Sequence, residues 1–152
     1  MKRWERWTFN LCSLAVTASG FVYFWMKYLL VSDDPFAVVN HPWEAATLHL
    51  HVLASPPFIL IFGVLFSSHI VKKLRAFRTP NRRTGLASFA TFGVMIATGY
   101  LLQVATADAW LRALVILHVA SGVVFTLTYG IHLAVSLKLV RRPSTAAIQE
   151  VA

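Results

Sequence analysis

The apolar positions of this chain gather into four long runs, at about residues 8–31, 43–71, 84–105 and 110–140. A hydrocarbon core ~30 Å thick is crossed by about 20 apolar residues of helix, so each run is long enough to span a membrane. The breaks are short and polar: Ser32-Asp33-Asp34-Pro35, a basic stretch at 72–83, and Thr106-Ala107-Asp108. Short connections make consecutive helices antiparallel neighbours. The pattern therefore predicts an all-α integral membrane protein, one transmembrane domain over 1–152 folded as an up-down-up-down four-helix bundle. No internal repeat or low-complexity segment stands out, and the tail after Pro143 reads as solvated.

Composition agrees with lipid as the solvent, since 57% of residues are hydrophobic and only 13% charged. The net charge of +8 would suit nucleic acid were it not for where the basic residues lie. Lys2, Arg3, Arg6, Lys72, Lys73, Arg75, Arg78, Arg82, Arg83, Lys138, Arg141 and Arg142 fall on the side of the two termini, and only Lys27 and Arg112 on the other. Asp33, Asp34, Glu44 and Asp108 share that second side. This is the positive-inside distribution, which predicts both termini in the cytoplasm and no nucleic-acid partner.

The first run also has the basic start and the small Ala18-Ser19-Gly20 segment of a cleavable signal. Its apolar stretch continues through Phe21-Val22-Tyr23-Phe24-Trp25, however, and it is expected to stay as a membrane helix with Trp4, Trp7, Trp25 and Tyr28 at its interfaces. The lone Cys12 has no internal disulfide partner and supplies no covalent haem motif.

Histidines carry the chemistry, because an ionisable side chain in hydrocarbon calls for a ligand, partner or pathway. His41 lies in the first outer loop, His49, His51 and His69 on the second helix, and His118 and His132 on the fourth. At about 100° per residue, the 18 positions from His51 to His69 make about five whole turns, and the 14 from His118 to His132 fall about 40° short of four. His49 points about 160° away from His51 and is excluded.

The second and fourth helices of an alternating bundle run parallel, which pairs His51 with His118 and His69 with His132. Each pair could grip one haem iron from both sides, giving two non-covalent b haems with these four residues as metal ligands. The ligands stand about 27 Å apart along one helix and about 21 Å along the other at ~1.5 Å per residue. Ser55-Pro56-Pro57 between His51 and His69 is the expected place for a kink or local unwinding to absorb the difference. Gly63 and Gly122, with Gly93, Gly99 and Gly130, offer room for a porphyrin or serve as ordinary helix contacts. Arg82 and Arg83 with Lys72 at the inner end, and Arg112 at the outer, are the candidate propionate partners.

The four-helix layout and the motifs His51-Val52-Leu53-Ala54-Ser55-Pro56, Ser68-His69-Ile70, Gly99-Tyr100-Leu101-Leu102-Gln103 and His118-Val119-Ala120-Ser121-Gly122 resemble the bacterial diheme b-type membrane cytochromes. These are the cytochrome b561-like subunits that accompany formate dehydrogenases and nickel-iron hydrogenases. The resemblance implies an electron-carrying subunit of a respiratory or photosynthetic complex in the bacterial inner membrane, working between the quinone pool and other redox subunits or a c-type cytochrome. It differs from subunits that also take a ligand from the first helix. A quinone on the outer side would find His41 and Glu44 as proton-exchanging groups, although both also suit plain interface anchoring.

No Walker loop, dinucleotide fingerprint, catalytic carboxylate pair or cysteine pair is present, so the chain reads as a redox subunit with no catalytic side chains of its own. A haem-free structural or assembly subunit is the alternative, and it leaves the two histidine pairs unexplained. A histidine-lined metal or proton transporter would want acidic or polar partners along its path, where the spans offer mainly hydroxyls.

Overall fold

The computed structural model describes residues 2–75 and 82–141. Arg78, Arg142 and the tail after Pro143 lie outside them, as does the middle of the basic loop. Among the described residues five α-helices run Arg3–Phe24 (α1), Glu44–Leu65 (α2), Val71–Arg75 (α3), Arg82–Val104 (α4) and Asp108–Arg141 (α5). No strand occurs among the described residues. Two π-helical turns are inserted, Trp25–Leu29 after α1 and Phe66–Ile70 between α2 and α3. Four segments are long and apolar enough to cross a membrane: Arg3–Leu29, Glu44–Leu65, Arg82–Val104 and Asp108–Lys138. The protein is thus all-helical and multi-pass, with helix counts and lengths compatible with a four-helix bundle.

The chain divides into two compact units, residues 1–77 and 78–152. Each contains a helical hairpin. In the first, contacts pair Phe9 with Phe58, Ser19 with His51, and Lys27 with Glu44, so positions rise along α1 as they fall along α2. In the second, Thr84 meets His132, Ser88 meets Thr128, and Thr98 meets His118. Both pairs are antiparallel, as their short connections require. Each hairpin contains a buried aromatic pair, Phe9 on Phe58 with centroids 5.1 Å apart toward the terminal end of the first, and Phe92 on Phe125 at 5.7 Å at mid-length of the second. Leu11, Leu53, Leu60, Ile116 and Leu127 point outward and exposed, as lipid-facing residues would.

Helix ends follow local chemistry. The Glu5 carboxylate reaches back to accept the Lys2 backbone N–H at 2.8 Å, opening α1 one and a half turns before the apolar run begins. In the 30–43 connection, Asp34 accepts the Phe36 N–H in an Asx turn. The His41 Nδ1 accepts the Trp43 N–H just ahead of α2. That connection is pinned by one polar knot: Lys27 Nζ donates to Glu44 Oε1 at 2.8 Å, the Asn40 N–H to Glu44 Oε2, and the Asn40 amide to the Lys27 carbonyl.

α2 stays α-helical through Pro56 and Pro57, so the helix does not unwind there, and a departure from α geometry comes later, at Phe66–Ile70, around His69 itself. Pro56 and Pro57 withdraw two N–H donors, but lipid-embedded helices tolerate this where neighbouring groups compensate. The π turn places an extra residue in one turn, so the simple count of five turns from His51 to His69 does not apply. It also shortens the axial gap by about one residue's rise, ~1.5 Å, a quarter of the mismatch between the two ligand spacings.

Candidate functional site

Three of the intramembrane histidines are held in one and the same way. His51 on α2 sets its Nδ1 3.0 Å from the Val16 carbonyl and 3.2 Å from the Ser19 hydroxyl, both on α1. On α5, His118 Nδ1 lies 3.0 Å from the Thr98 hydroxyl and His132 Nδ1 lies 3.2 Å from the Thr84 hydroxyl, both on α4. In every case the next residue is glycine. A Cβ on Gly20 would stand 2.9 Å from His51 Cε1, one on Gly99 3.3 Å from His118 Cε1, and one on Gly85 3.2 Å from His132 Cε1. The ring edge therefore rests in the space that a larger residue would fill. A side chain at Gly20 would make the ring shift, and one at Gly85 or Gly99 would make it give by a few tenths of an ångström, so glycine lets the ring sit close to the neighbouring helix.

Each of these histidines is also held through its backbone. Ser55 donates its hydroxyl to the His51 carbonyl at 2.8 Å, Ser121 to that of His118 at 3.1 Å, and Ser136 to that of His132 at 2.7 Å. A hydroxyl one turn onward thus braces the residue that bears the ring.

The protons in this network can be assigned. The Thr98 hydroxyl has one proton and spends it on the Val94 carbonyl at 2.7 Å, so toward His118 it can only accept. The Ser19 hydroxyl likewise donates to the Ala15 carbonyl at 2.7 Å, and the Val16 carbonyl beside His51 has no proton to give. In both rings Nδ1 must carry the hydrogen, which leaves the lone pair of a neutral imidazole on Nε2. That is the tautomer in which Nε2 ligates a metal while Nδ1–H is held by an outer partner.

The fourth expected ligand is built differently. His69 is half-buried within the π turn and is followed by Lys72 and Lys73 where the other three have serine. Fourteen residues before Ser19, the offset that separates Thr84 from Thr98, the first helix carries Glu5-Arg6 in place of a hydroxyl and glycine. His49 is exposed on α2. Among the described residues no three His, Cys, Asp or Glu side chains gather as a cage for a metal ion.

The remaining candidates occupy plainer surroundings. A Cβ on Gly63 or Gly122 would meet nothing within 4 Å, and the same holds at Gly93 and Gly130. Arg82, Arg83 and Arg112 are exposed. Glu44 is buried in its ion pair with Lys27, and His41 is half-buried in the turn before α2.

Gly20 and Gly85, with the three hydroxyls, are functional candidates that sequence reasoning missed. The signal was the dipeptide Ser/Thr-Gly, which occurs as Ser19-Gly20, Thr84-Gly85 and Thr98-Gly99 on the two helices that lack histidine. Comparison with protein-family models, with curated proteins and with solved structures finds no match for this chain.

Proposed function

We propose that this protein is a membrane b-type cytochrome, an electron-carrying subunit with two haems, His51 and His118 ligating one, His69 and His132 the other. The observation that supports it most is the repeated seat of His51, His118 and His132. Nδ1–H is fixed in the first two by hydroxyls whose own protons are committed elsewhere, and the ring edge lies on glycine in all three. Such seats suit a donor set of neutral imidazoles offering Nε2 to a flat, non-covalently held haem. The haem would supply the one-electron valence change. The chain's own residues orient the imidazoles, exclude water and stiffen the ring plane against rotation. A purely structural subunit has no need of half-buried imidazoles held in one tautomer.

The setting we infer is the bacterial inner membrane with both termini cytoplasmic. The electron donor or acceptor is a quinone on one side and other redox subunits or a c-type cytochrome on the other. In this reading Glu44 stabilises the first hairpin, and His41 is the remaining proton-exchanging group on that side. Arg82, Arg83 and Arg112 are free to meet haem propionates or anionic lipid headgroups. A pyridine haemochrome assay on the purified full chain should give about two haem b per chain with a reduced b-type spectrum. Well-folded protein that takes up no haem, either as isolated or on reconstitution with hemin, would overturn the reading.

A further inference from the structure

In all three seats a hydroxyl beside Nδ1 comes from a Ser or Thr immediately before the glycine. A backbone carbonyl alone would bind Nδ1–H, as the Val16 carbonyl does for His51. A helix carbonyl, however, already accepts the N–H four residues on, and its position is fixed by the helix. A hydroxyl that donates back to its own helix, as Thr98 does to Val94 and Met95, presents its lone pair outward toward the neighbouring helix. The glycine that follows lets the second helix come close enough for that lone pair to be met.

We propose that Ser19-Gly20, Thr98-Gly99 and Thr84-Gly85 are positioning dyads that set the tautomer, the ring plane and the electron-donating strength of His51, His118 and His132 toward a ligated iron. The inference rests on the cytochrome reading above and adds which residues outside the ligand set tune each haem. The Nδ1 of His51 meets the Ser19 hydroxyl and the Val16 carbonyl, and that of His118 meets the Thr98 hydroxyl, whose proton is committed to its own helix. Thr98 makes the shortest hydroxyl contact to a ring, 3.0 Å against 3.2 Å for Ser19 and Thr84, and its loss is the sharpest test.

An imidazole whose Nδ1–H is held by an acceptor is a stronger σ-donor through Nε2 and favours ferric over ferrous iron. Thr98→Val keeps the shape of the side chain and removes the acceptor. It should raise the midpoint potential of one haem, leave the other unchanged, and alter the low-spin ferric EPR signal of that haem alone. Haem affinity at that site should fall by about ten- to a hundredfold, the usual effect of removing an outer-shell partner. Thr98→Ser should restore the wild-type potential and signal. Ser19→Ala should shift the same haem in the same direction, with the Val16 carbonyl still holding the proton on Nδ1 of His51. Gly20→Ala, whose added methyl would press on His51 Cε1, should turn the ring and change the EPR signal even where the potential holds.

Two failures are separable. If Thr98→Val binds two haems with both potentials and both EPR signals as in wild type, the dyads do not tune the ligands, and the cytochrome reading stands. If the full-length protein carries no haem, the cytochrome reading fails. The dyads are then read directly by 15N NMR of histidine-labelled protein in detergent, which must place the proton of His51 and His118 on Nδ1 and must lose that preference at His118 in Thr98→Val. A proton on Nε2 in the wild-type protein would overturn the proposal by itself.

Discussion

At the scale of single residues, the buried polar groups divide into those that hold the fold and those that hold a ring. Glu44 belongs to the first group: it is buried, and both carboxylate oxygens are engaged, one by Lys27 and one by the Asn40 N–H. Glu44→Leu should lower stability in detergent by about 1–3 kcal/mol, since the Asn40 N–H loses its acceptor and the Lys27 ammonium its counter-charge. A double-mutant cycle with Lys27→Met checks this, because the pair should be less damaged together than the two single losses add up to. A purely additive outcome would mean the ion pair contributes nothing. The histidines belong to the second group. Replacing His51 or His118 by Ala should remove one haem and leave the other, and replacing His69 or His132 should do the converse. His49→Ala should keep both, as its exposed side chain suggests. Haem stoichiometry with low-temperature spectra across the five variants decides it, and a haem lost in His49→Ala but kept in His51→Ala would reverse the assignment of α2.

At the scale of elements, the four spans were legible because a run of apolar residues of membrane length has few other readings. Their polar ends were less so. α1 opens at Arg3, within a basic and aromatic segment that hydropathy counts as outside, because the Glu5 carboxylate satisfies the Lys2 N–H. The π turn at Phe66–Ile70 left no visible mark, since the sequence Phe-Ser-Ser-His-Ile has no proline or glycine to announce it. The conspicuous prolines upstream drew the expectation instead. The seats were missed for a related reason: helical periodicity tells which residues share a face, and it does not tell which hydroxyl on the next helix lies opposite a given ring. Gly99 stands among the glycines that the sequence offers as room for a porphyrin, whereas Gly20 and Gly85, which lie beside a ring only in space, do not. The π turn has a testable consequence. Deleting Ser67, whose exposed hydroxyl bonds locally to the Val64 carbonyl, removes the extra residue and should relax the turn to α geometry while His69 keeps its height and direction on the helix. The deletion variant should therefore keep both haems with unchanged spectra. Loss of the haem of His69 and His132 alone would show that the π geometry itself, and not the register it preserves, places the ligand.

At the scale of the whole molecule, the two hairpins follow one plan although their sequences show no repeat. In each, the first helix offers a hydroxyl and glycine, the second offers the imidazole, and a buried aromatic pair packs between the two. Each hairpin also has a closed end and an open end, and charge sorts between them. Lys2, Arg3, Arg6, Lys72 and Lys73 are exposed at the open end of the first hairpin, and Arg82, Arg83 and Lys138 at that of the second. Asp33, Asp34 and Asp108 are exposed at or beside the closed ends, where Lys27 is partly neutralised by Glu44 and Arg112 is the remaining cation. Basic residues beside membrane helices are retained in the cytoplasm, so both hairpins should insert with open ends inward and connections 30–43 and 105–107 outward. The prediction is tested in intact cells with Cys12 replaced by serine. A cysteine at Thr106, exposed in the second connection, should react with a membrane-impermeant maleimide added outside. One at Lys73, exposed on α3, should react only after the membrane is permeabilised. Labelling of Lys73→Cys from outside, with Thr106→Cys protected, would invert the topology, and the quinone-side assignment of His41 would move to the cytoplasmic face with it.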